Sequence, residues 1–114
     1  MPGRGKVSWR WRLVESGIMG KALREYQQAL IDAYYDNWMK EMLEPLYQAF
    51  QQWKQGKLKH DELTKLIHRT HRENQKAYSF FTQGRSQIIA CIKMDNEWFA
   101  AWLRDNPPPH GVEL

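Results

Sequence analysis

The chain has 114 residues, 42% of them hydrophobic and 26% charged, with a net charge of +4, six tryptophans and a single cysteine. That length suits one domain burying roughly two-thirds of the surface its unfolded chain would expose. The composition argues against bulk disorder, a disulfide scaffold, and a membrane span of about 20 apolar residues. Positive charge is concentrated in residues 1–18 and 57–84, while 19–56 and 85–114 each carry a slight acidic excess. The overall basicity is therefore a weak argument for nucleic-acid binding.

In residues 1–18, the stretch Val7-Ser8-Trp9-Arg10-Trp11-Arg12-Leu13-Val14 alternates apolar and polar side chains with the period of a strand. A lone strand needs a partner, and a second copy of the chain would supply one. Its Trp and Arg would also suit an arm lying on a membrane surface or a nucleic acid. A third reading is a mis-annotated start: Met19 opens the helical pattern, and Val14-Glu15 can be encoded by a purine-rich ribosome-binding sequence. Residues 1–18 are accordingly set apart from a single helical domain at 19–106.

From Met19 to about Lys54, helix formers dominate and apolar residues recur at three and four. Leu23, Tyr26, Leu30, Ala33 and Tyr34 share one face. Tyr35, Trp38, Met39, Met42, Leu46, Phe50 and Trp53 share another. A helix apolar on two faces must be covered twice, and a homodimer through the second face is the simplest cover, with Trp38, Met42, Phe50 and Trp53 as self-association residues. Pro45 predicts a kink or restart, and Gly56 suits the left-handed position just beyond a helix end.

A second helix starts after Lys59, with Asp61 and Glu62 in its first turn and Leu58 placed to staple onto Leu63. It runs to about Thr82, where Gly84 stops it, and should fold back antiparallel on the first. A helix over Arg85–Met94 has a centre apolar all round and so is expected to be buried. Asp95 is a suitable N-cap for a last short helix carrying Trp98, Phe99 and Trp102. Asn106 and three prolines end that helix, leaving 107–114 as an extended tail. The expected fold is all-α: a long antiparallel helical hairpin with a shorter C-terminal helical segment packed across it, forming a dimeric bundle.

Three patterns on the second helix invite chemistry. Lys65, Arg69, Arg72 and Lys76 at i, i+4, i+7 and i+11 form a basic stripe that would bind an anion, a nucleic acid or an acidic partner. A solvated face is the plainer reading, because Asp61 and Glu73 lie at compensating spacing, and no aromatic interleaves the stripe in sequence. His60, Asp61, Glu62, His68, His71 and Glu73 contain metal-ligand residue types, but no metal motif, and no metal is expected. His71 falls at the core edge and His68 toward solvent. Thr70, His71, Asn74 and Tyr78 would line a small pocket, or Thr70 and Asn74 would fix the register of a helix pair.

Neither an activated nucleophile, an acidic pair nor a phosphate loop accompanies them, so no catalytic residue and no cofactor is assigned. The lone Cys91 sits in an apolar run, as suits a reducing cytoplasm. The sequence thus predicts a non-enzymatic interaction or accessory module, with a homodimer and a further protein as partners.

Overall fold

The computed structural model describes the backbone from Pro2 onward and side chains from Gly20 onward. Four helices account for it: α1 (Pro2–Lys54), α2 (His60–Phe81), α3 (Arg85–Met94) and α4 (Asn96–Asp105). There is no strand among the described residues. The backbone of residues 7–14 belongs to α1, which corrects the strand expectation: no other strand lies among the described residues to satisfy a strand's backbone groups, whereas a helix satisfies its own. The proposed roles of Val7, Trp9, Trp11 and their arginines rest on side chains outside the described residues.

Helix α1 also passes through Pro45 without a break. Proline removes the N–H that would bond the carbonyl of Glu41, yet the turns on either side, packed against α2, keep the helix continuous. At its far end the chain reverses through a Schellman motif. Lys57 N–H bonds the Gln52 carbonyl at 2.9 Å and Gly56 N–H bonds the Trp53 carbonyl at 3.0 Å, with Gly56 at φ 77°. Lys59 then occupies the N-cap of α2 without a side-chain cap bond, while Leu58 is half-buried and Leu63 buried, as a hydrophobic staple requires.

Helix α2 packs along α1. Trp53 lies tilted against His60 at the turn, and Trp38 meets Phe80 and Phe81 at the other end of α2, with ring centroids 5.0 and 5.5 Å apart. The small side chains Ala49 on α1 and Ala77 on α2 are buried, which lets the helices approach closely.

The second covering is supplied by the same chain. Leu30, 0% exposed, is the centre of a cluster with Ile88, Ile89 and Ile92 of α3, flanked by Tyr34, Phe81, Trp98 and Trp102. Helix α3 is therefore buried on its isoleucine side, although Met94 at its end stays 79% exposed. Tyr26 anchors the end of α4 by donating to the Asn106 carbonyl at 2.6 Å, and Arg85 reaches back to Gln28 at 2.9 Å.

The tail is a further departure. Val112 N–H bonds the Pro109 carbonyl at 3.0 Å and Gly111 takes φ 81°, so the chain turns back at 109–112. This turn buries Val112, sets Leu114 against the α3 cluster, and lets Lys93 donate to the Leu114 backbone oxygen at 2.7 Å. Three prolines stiffen the approach to the turn, but Gly111 decides the direction of exit.

Candidate functional site

The α1/α2 pair has two unlike long sides. Helices α3 and α4 lie against the front, where an open groove of about 610 Å³ is left between α1, α2 and the start of α4. Its floor is Trp38, Met42, Leu46, Leu66 and Trp98, all half-buried. Tyr34 stands edge-on to Trp98, centroids 4.8 Å apart at 80°, and to Trp38 at 6.2 Å and 84°. Carboxylates enter from three elements: Glu41 from α1, Glu73 from α2, and Asp95 and Glu97 at the start of α4.

Asp95 is where sequence and structure part most instructively. It holds the N-cap position of α4, yet its side chain makes no capping bond. Its carboxylate instead accepts from the Tyr34 hydroxyl at 3.2 Å, tying α4 to α1. Burial first, then this bond and the charges of Asp95 and Glu41, push the Tyr34 phenol up from its ordinary value. The phenol therefore remains a hydrogen-bond donor facing an acidic rim.

On the back of the pair, Tyr35, Leu43, Tyr47 and Phe50 of α1 are exposed, as are Ile67 and Tyr78 of α2. The α2 contribution follows from spacing: His60, Thr64, Ile67, His71, Asn74 and Tyr78 recur at four and three, lie on one helical edge, and are all exposed. No Asp, Glu, Lys or Arg interrupts that edge. On the same side of α1 as Leu43 and Tyr47, Asp36 and Lys40 neutralise each other at 3.0 Å.

The four self-association candidates are divided by this arrangement. Trp38 packs inside the chain against Phe80 and Phe81, and Met42 lies in the groove floor. Phe50 and Trp53 are exposed, with the Trp53 indole N–H donating to His60 Nδ1 at 2.8 Å.

The pocket candidates do not converge. Thr70 alone is half-buried and lines the groove, its hydroxyl already donating to the Leu66 carbonyl at 2.8 Å. His71, Asn74 and Tyr78 are exposed on the back, Tyr78 at 73%. His71 is thus not at the core edge, because the α2 face that meets α1 is centred on Leu63, Thr70, Ala77 and Phe81. An exposed Asn74 has no buried seam to register within the chain.

The basic stripe is present as an exposed edge beside the groove. Lys76 pairs with Glu73 at 3.0 Å, Arg69 reaches the groove rim, and Arg72 and Lys76 border a shallow depression with Trp38 and Phe80. Among the described residues no three His, Cys, Asp or Glu side chains come together as a metal site. No described helix is long and apolar enough to cross a membrane.

Sequence reasoning missed the groove altogether. Tyr34, Glu41, Asp95, Glu97 and Trp98 come from helices that are adjacent only after the chain has turned three times, and no local spacing joins them. No protein-family model matches the chain, and no match was found among curated proteins or among solved structures.

Proposed function

We propose that the protein is a non-enzymatic helical interaction module that self-associates through the back of the α1/α2 pair, in the cytoplasm. One observation carries this reading: large apolar side chains of both helices remain uncovered on the side that α3, α4 and the tail do not reach. Residues 35–54 extend for about 30 Å at 1.5 Å per residue. Two helices side by side are about 20 Å wide, so the footprint is of the order of 600 Å², near the ~800 Å² that each partner gives a standard interface. A two-fold pairing places a surface against itself, and a face with an uncharged α2 edge does this without like-charge repulsion.

Leu43→Glu tests the reading without disturbing a buried side chain. It places two carboxylates in the symmetric contact and should weaken association at least tenfold in sedimentation equilibrium, with unchanged helicity by circular dichroism. A wild-type protein that is monomeric at high micromolar concentration would sink the reading. Binding of nucleic acid or an anion along Lys65, Arg69, Arg72 and Lys76 is the second reading, supported by the aromatic neighbours Trp38 and Phe80. It is the weaker one because the stripe borders the acidic rim and Lys76 already pairs with Glu73.

A further inference from the structure

We propose that the front groove receives an arginine- or lysine-rich segment of a partner protein, its cationic side chains held over Trp38 and Trp98 and paired with the carboxylates of the rim. This surface is separate from the back face and needs no self-association.

Three features select that occupant. The first is charge complementarity with aromatic support. With Glu73 paired to Lys76, Glu41, Asp95 and Glu97 still outnumber Arg69 around the groove, so it is locally acidic within a chain of net charge +4. A guanidinium or ammonium is attracted both to such a rim and to indole faces beneath it, most strongly where water is partly excluded. Half-buried Trp38, Trp98 and Tyr34 supply that environment.

The second is shape. On α1 the lining runs from Tyr34 to Leu46, three turns of helix or about 18 Å at 1.5 Å per residue. The carboxylates come from α1, α2 and the start of α4, and no three converge as a metal site among the described residues. An extended ligand with several separated cations fits where a compact ion does not.

The third is the supply of neutral acceptors. Pro45 has no N–H to give the Glu41 carbonyl, so that acceptor lacks its i+4 helix bond, and both residues line the groove. The Asn37 amide lies in the same wall. A peptide can engage both with side-chain and backbone N–H groups.

The test is fluorescence anisotropy of a labelled twelve-residue peptide of alternating arginine and glycine, titrated with the full chain at low and moderate salt. Micromolar binding that weakens with salt is expected. The double variant Glu41→Lys, Glu97→Lys should lose at least tenfold in affinity. Both residues are exposed, so the variant should fold, which circular dichroism checks. Trp98→Ala should weaken binding by a similar factor where it folds.

Equal affinity for the double variant and the wild type would overturn the site. Spermine supplies the other arm: if it binds as tightly as the peptide and is lost in the same variants, the occupant is a free polyamine and the protein-segment proposal falls. Leu43→Glu should bind the peptide like the wild type, so failure of the groove and failure of the back-face reading give different results.

Discussion

The two halves of α1 beyond Gly20 bury their apolar side chains to opposite degrees. Residues 20–34 hold few large apolar side chains, yet Tyr26 and Leu30 are buried. Residues 35–54 are rich in Trp, Met, Leu, Tyr and Phe, yet Ala49 alone is buried there. The difference lies in the number of neighbours. The first half is enclosed by α3, α4 and the returning tail, whereas the second has α2 along one side. Burial follows how many elements surround a position rather than how apolar its stripe is, and the half left open is where binding surfaces remain.

The sharpest way to break this comparison is to truncate one large side chain in each half. Leu30→Ala should cost about 3–5 kcal/mol, since it empties a fully buried position among Ile88, Ile89 and Ile92. Phe50→Ala, at 42% exposure, should cost less than about 1 kcal/mol in the monomer. Urea denaturation of dilute protein measures both, and similar losses would mean that the distal half is as well enclosed as the proximal one.

Pro45 offers a change of the opposite sign. It lies within a continuous helix and is exposed, so Pro45→Ala restores a backbone bond and should stabilise by about 1–3 kcal/mol. A loss of stability would show that the proline fits a local distortion that α2 requires.

The smallest effects concern the tyrosines that fasten α4 to the first half. Tyr26→Phe removes the bond to the Asn106 carbonyl and should cost about 1 kcal/mol. Burial raises the Tyr26 phenol, and burial with Asp95 raises that of Tyr34. Above pH ~10 the unfolded chain releases these protons while the folded chain retains them. Their contribution is therefore complete below that pH and lost as pH rises through the folded values. Tyr26→Phe and Tyr34→Phe should each remove part of the phenolate absorbance change that lags to the highest pH. An unaltered titration would show that neither phenol is held back.

Much of the fold was legible locally. Gly56 announced the turn that ends α1, and Gly84 and Asp95 bracketed α3. The two apolar faces of α1 were legible too, but what covers them was not: the first face is closed by α3 and α4 of the same chain. The stretch 7–14 misled because its period-two alternation points to a strand completed by a second copy, whereas a helix satisfies its backbone groups within the stretch itself. The groove was invisible because Asp95, read as a cap, bonds Tyr34 instead.

The sequence by itself determined where α1 ends, where α2, α3 and α4 start and stop, and which apolar residues share each face of α1, because glycine φ preference, the hydrophobic staple and the helical repeat act over a few neighbouring residues. Only the tertiary structure decided which face is closed, where the tail returns and which carboxylates share a rim. Those outcomes depend on contacts between residues as many as 80 positions apart, such as Tyr26 with Asn106, which exist only when the whole core has formed.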